Sequence, residues 1–150
     1  MLKRSAVQGD RGGAGARTAL LASRFKYRVP FEIGLTETRD GGRLEILEVW
    51  GTRPRIEVGG QYLVHGKYAL PAHDKATLYF HLTASNWNNS GPEMDLQHLT
   101  VTKGQGEFTL LHSMGGPGYF HLHLEAEDRD KYVRCANVYF GTGDNVLRKQ

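Results

Sequence analysis

Beyond residue 26 the chain alternates apolar and polar residues with a period of two, the pattern of strands that bury one face. The clearest run is Tyr119 to Ala126. It places Phe120, Leu122, Leu124 and Ala126 on one face and Tyr119, His121, His123 and Glu125 on the other. Ala76 to Ala84 repeats the pattern, with Leu78, Phe80 and Leu82 opposite Thr77, Tyr79, His81 and Thr83. Gln61 to Leu70 sets Tyr62, Val64, Tyr68 and Leu70 against Gln61, His65 and Lys67. Further strands are predicted over Phe31–Leu35, Leu44–Trp50, Arg55–Val58, Leu96–Thr102, Glu107–His112 and Tyr132–Phe140. Between them stand Asp40-Gly41-Gly42, Gly59-Gly60, Pro71-Ala72-His73-Asp74, Lys103-Gly104-Gln105-Gly106 and Gly115-Gly116-Pro117-Gly118. Each reads as a turn or hairpin loop, because these residues tolerate or impose turn dihedrals. Residues 85–95, with Trp87 among Asn86, Asn88 and Asn89, form the longest loop of this reading.

Short strands at intervals of roughly ten residues, with no helical period between them, predict an all-β, antiparallel, two-sheet β-sandwich. The strand order over residues 44–140 resembles an immunoglobulin-like sandwich. The resemblance implies architecture alone, because the disulfide pair of antibody-type domains and the Trp between its cysteines are absent.

Composition supports one domain. A chain of 150 residues with 39% hydrophobic content can bury a core. The net charge of +3 is unevenly placed. Residues 1–28 hold seven basic side chains and one acid, which leaves 12 basic and 15 acidic residues for the rest. The Gly-rich, aperiodic start therefore reads as a disordered basic tail over residues 1–26, with the β domain over 27–150. Such a tail is a solvated leader or a counterion-releasing contact for anionic surfaces. The acidic body has no basic stripe, so nucleic acid is not an expected partner of the folded part.

The single cysteine, Cys135, excludes an intramolecular disulfide and reads as a small buried hydrophobe. No stretch has the 18 apolar residues of a helical membrane span, and Ala19–Ala22 is too short for a secretory core. The compartment stays open.

Candidate chemistry concentrates on histidine. His121 and His123 point the same way on one strand, and His81 occupies the polar face of another. In an immunoglobulin-like order these strands are neighbours, so the three imidazoles would meet with Tyr79 and Tyr119 beside them. Three imidazoles suit one transition-metal ion such as Zn, Cu or Ni. The spacing Gly115, His121, His123, Glu127 is similar to the first cupin motif, which implies a metal-dependent jelly roll with these residues as ligands. Arg134 stands where that motif has its closing Gly, and no histidine follows His123 to complete a second motif. No nucleophile elbow, phosphate loop or carboxylate pair accompanies them. The leading expectation is a non-catalytic binding module without a cofactor. Its contact residues are Tyr79, His81, Trp87, Tyr119, His121 and His123, and its partner is a protein or a carbohydrate, since Tyr and Trp combine apolar area with a polar tip. The alternatives are the cupin-like metal enzyme and a structural appendage of a larger assembly.

Overall fold

A computed structural model describes residues 24–84 and 97–149. The loop with Trp87 and nearly all of the expected tail lie outside the described residues. The described chain is almost wholly antiparallel β. Its strands are β1 (Tyr27–Arg28), β2 (Glu32–Thr38), β3 (Arg43–Gly51), β4 (Gln61–Ala84), β5 (His98–Ser113), β6 (Gly118–Asp128) and β7 (Lys131–Gly141), followed by a short 3-10 turn at Gly143–Asn145. Among the described residues, no helix is long and apolar enough to cross a membrane.

All seven strands belong to one hydrogen-bonded sheet, ordered β1-β3-β4-β6-β7-β2, with β5 paired to β4. The sheet curls into a half-barrel. The expected immunoglobulin-like order, with two separate sheets, is not what these ladders form. The reason lies in β4. It runs 24 residues without interruption and serves both halves of the sheet. Its first half pairs with β3 from Tyr62 to Ala69, and its second half pairs with β6 from Ala76 to Ala84. β5 follows β4 through both halves, from Gln61↔Ser113 to Tyr79↔His98.

Two expected turns therefore become strand. Pro71-Ala72-His73-Asp74 is a bulge in β4, where the register slips between Leu70↔Gly104 and Lys75↔Thr102. Extra residues on one strand bend it and sharpen its twist. Pro71 also donates no ladder hydrogen bond, and the bend falls where β3 leaves β4 and β6 joins it. Lys103-Gly104-Gln105-Gly106 is the facing part of β5, and Gly104 takes the left-handed φ of 122° there. Arg55–Val58 is not a strand. It lies in the connection from β3 to β4, which Tyr62 anchors: its hydroxyl donates to Arg55 O at 2.6 Å and accepts from Glu57 N at 2.9 Å.

The turn at Asp40-Gly41 does adopt left-handed φ values, 57° and 75°, but it joins no hairpin. β2 and β3 stand at opposite regions of the sheet path, β2 beside β7 and β3 beside β4. The turn straps the two together across the curl. Arg39 N donates to Cys135 O at 2.8 Å, fixing the strap to β7.

Curling brings the apolar faces of both halves into one core. Tyr62, Val64 and Leu70 from the first half of β4 join Leu78, Phe80, Phe108, Phe120, Leu122, Leu124, Val138 and Phe140 in a single cluster. Tyr62 meets Phe120 edge-on at 5.6 Å, so the first half touches the second directly. The face assignment read for Tyr119–Ala126 is the one observed: Phe120, Leu122, Leu124 and Ala126 are fully buried inward. A smaller cluster of Phe25, Leu63 and Leu111, with Trp50 against it, covers the other side of the first half. Phe25 thus packs two residues before the expected domain boundary.

Candidate functional site

The second half of the sheet, in the order β5-β4-β6-β7-β2, presents its odd-numbered β4 and β6 residues away from the core. Cross-strand pairing aligns them in rows. The longest row reads His98, Tyr79, His123, Asn137, Glu37 across five strands. The next reads His81, His121, Tyr139, and the third pairs Thr83 with Tyr119. Directly opposed residues sit about 5 Å apart, so each row is a continuous line of side chains.

The ring geometry follows from those rows. His81, His121 and His123 lie with ring centroids 5.0–5.8 Å apart. Tyr79 touches His81 at 5.2 Å, His123 at 4.8 Å and His98 at 6.0 Å. Tyr139 stacks on His121 at 4.7 Å with 23° between the rings. The expected meeting of His81, His121, His123 and Tyr79 is therefore present in the fold. Tyr119 occupies the next rung, opposite Thr83. Trp87 lies outside the described residues.

Burial divides these residues into two sets. His121 and His123 are only 7% and 5% exposed; His121 lies between His81 and Tyr139, and His123 between Tyr79 and Asn137. Tyr79, His81 and Tyr119 are half-buried and form the accessible rim. Burial pushes the His121 imidazole down to about 4, with the Asn137 hydrogen bond partly opposing and His81 and Arg134 adding repulsion. Burial likewise pushes His123 down to about 3, reinforced by Arg134, His121 and His81. Both rings are neutral at pH 7.

The tautomer of His121 can be deduced. Asn137 Nδ2 donates to Glu37 Oε1 at 3.3 Å, which orients the amide and leaves Asn137 Oδ1 to accept from His121 Nδ1 at 3.0 Å. The ring therefore carries its proton on Nδ1 and a lone pair on Nε2. Thr83 Oγ1 stands 3.5 Å from that nitrogen and 3.4 Å from the Tyr139 hydroxyl. Among the described residues, His123 Nδ1 is buried without a hydrogen-bond partner. A line of fixed groups thus runs from Glu37 through Asn137 and His121 to Thr83, with an unsatisfied imidazole beside it.

Glu127 does not join the cluster. It lies four residues beyond His123, about 13 Å along an extended strand, and pairs with Tyr132 at the exposed end of β6. There it lines a small pocket of about 50 Å³ with Lys75, Ala76, Thr77, Tyr79, Glu125 and Tyr132. The cupin-like ligand set is thereby split, with the histidines at the centre of the face and the acid at its edge.

Sequence reasoning overlooked Asn137, Tyr139, His98 and Glu37. The alternation of β7 carries a signal for two of them, since Asn137 and Tyr139 flank the inward Val138 and lie opposite the inward Phe140. Glu37 carried none, because β2 reaches β7 from the far end of the chain. No family model, curated protein or solved structure matches this chain.

Proposed function

We propose that the chain is a non-catalytic binding module and that its ligand lies on the outer face of β4 and β6. The observation that carries this reading is the run of ring contacts that joins the accessible His98, Tyr79 and His81 and seats them on the buried His123 ring. The buried pair His121 and His123 supports the rim from below, and Tyr79, His81 and Tyr119 make the contacts. A carbohydrate suits this surface best. Aromatic rings offer an apolar platform to the C–H face of a sugar, while Glu125, Glu127 and Lys75 beside Tyr79 offer acceptors and donors for hydroxyl groups. A protein partner is the other occupant of such a face.

The test is a panel of immobilised glycans and a partner capture, each with wild type, Tyr79→Ala and Trp87→Ala. Loss of one stacked ring is expected to weaken binding about tenfold, the effect of roughly 1.4 kcal/mol. Unchanged binding in both variants would place the ligand elsewhere.

A second reading is a transition-metal centre on His81, His121 and His123. Two observations favour it: the Asn137 bond that fixes the His121 ring, as partners of metal-bound imidazoles do, and the orphaned Nδ1 of His123. It predicts that a His121→Ala/His123→Ala protein loses about one bound metal per chain by elemental mass spectrometry while keeping its β circular dichroism. Equal metal content in the two proteins removes it.

A further inference from the structure

Where the Asp40 turn meets the bend of β4 and the bulge of β7, three side chains of ligand chemistry come together. Asp40, His73 and Cys135 place a carboxylate oxygen, an imidazole nitrogen and the sulfur within 4.8 Å of one another. His73 Nε2 and Asp40 Oδ2 are 2.9 Å apart. Among the described residues, no other trio of His, Cys, Asp or Glu side chains meets this condition. The sequence holds none of these three in a metal-binding spacing, and they come from the strap, from β4 and from β7.

What distinguishes the trio is how each residue is delivered. Asp40 sits at φ 57°, the left-handed turn conformation that Asp adopts more readily than most residues. His73 is carried by the bulge that bends β4 between Leu70 and Lys75. Cys135 is the extra residue of a bulge in β7, since Leu124 pairs with Ala136 and Glu125 with Arg134. Three separate departures from regular backbone aim three ligand-type side chains at one point. Bulges are found where a strand must re-aim a side chain. The strap is also seated without slack. A Cβ on Gly42 would come within 2.5 Å of Cys135 O, and one on Gly41 within 2.9 Å of Pro71 Cγ.

We propose that Asp40, His73 and Cys135 form a binding site for one zinc-class divalent ion, which pins the strap to the bend of β4 and to β7. Thiolate, imidazole and carboxylate are the borderline donor set that such ions take. Tetrahedral coordination at about 2.0–2.3 Å sets donors about 3.3–3.8 Å apart, so small side-chain rotations from the observed positions suffice. The Asp40 side chain is 41% exposed and that of His73 12%, which gives the ion an entry path and leaves water for the fourth position. On binding, the Cys135 thiol gives its proton to solvent and the sulfur bonds to the metal.

Cys135 is the one cysteine of the chain, so any thiolate–metal signal reports this site. The experiment uses the reduced, untagged full chain with Co²⁺ as a spectroscopic probe and Zn²⁺ as competitor. One equivalent of Co²⁺ is expected to raise a thiolate-to-cobalt charge-transfer band, which Zn²⁺ abolishes. The band should persist in His121→Ala/His123→Ala, vanish in Cys135→Ser, and need at least tenfold more Co²⁺ in His73→Gln and Asp40→Asn. His73 lies outside the core, so its variant tests the site even if Cys135→Ser does not fold. Absence of the band in folded wild type overturns the proposal, as does unchanged affinity in both His73→Gln and Asp40→Asn.

Discussion

Phe120→Ala is expected to cost about 3–5 kcal/mol, the range for truncating a buried aromatic residue, and to unfold both halves of the sheet in one transition. Phe120 is completely buried. It meets Phe80 at 4.7 Å and Phe140 at 5.8 Å within its own half, and Tyr62 at 5.6 Å and His112 at 5.7 Å from the other. A domain of this size is held by about 5–15 kcal/mol in total. The loss is thus a large fraction of the whole. Urea titration followed by both tryptophan fluorescence and far-ultraviolet circular dichroism tests the prediction. Coincident curves with a lowered midpoint are the expected result. If the two probes separate in the wild type, the halves are independent units, and the single core joined through Tyr62 and Phe120 is the wrong picture.

The second large effect is acid sensitivity. His112, His121 and His123 are buried, and burial, with repulsion from neighbouring imidazoles, holds His112 and His121 down to about 4 and His123 to about 3. In the unfolded chain all three titrate near 6.5. Between those values the unfolded state binds more protons than the folded state, so stability rises with pH in that window. It is complete above about pH 6.5 and is lost as the pH falls towards 4. Each group contributes up to about 1.4 kcal/mol per pH unit. Together they can remove on the order of 10 kcal/mol by pH 4 as an upper bound, comparable with the whole stability. Denaturant titrations at intervals from pH 7 to pH 4.5 should show the midpoint falling steadily. His112→Leu should flatten that fall, because it removes one of the three groups and also the buried His112 Nδ1, which has no hydrogen-bond partner among the described residues. A midpoint constant down to pH 4.5 would mean that the three rings are hydrated in the folded state.

These two predictions depend on different levels of information. The inward position of Phe120 follows from the alternation of Tyr119–Ala126, and so does the outward position of His121 and His123. Period-two patterning is local: successive side chains of an extended chain must point to opposite faces, whatever the partner strand. The same rule placed Tyr79 and His81 on the face they occupy. What burial the histidines receive is not local. It comes from Tyr79, His81, Tyr139 and Asn137, which reach them across strand ladders between residues distant in the chain.

The turns show where local reasoning stops. Pro71-Ala72-His73-Asp74 and Lys103-Gly104-Gln105-Gly106 have turn chemistry, and the first bends the chain. Both became parts of long strands: Gly104, Gln105 and Gly106 pair with Leu70, Ala69 and Tyr68, and residues 71–74 are the extra residues of the bulge before the ladder resumes at Lys75↔Thr102. Gly and Pro mark a break in regular backbone, and a bulge and a reversal use the same dihedrals and the same residues. Asp40-Gly41 illustrates the converse. Its left-handed geometry was legible, but the strands it joins pair with other partners.

Sequence alone therefore determined the β class, the faces of the strands and the chemistry of the histidine stripe, because those depend on the nearest few residues. Tertiary structure decided the single curled sheet in place of two, the bond from Glu37 through Asn137 to His121, and the meeting of Asp40, His73 and Cys135. Each of those joins residues far apart in the chain, and which segments meet is set by burying one shared core, a property of the whole chain that no local pattern encodes.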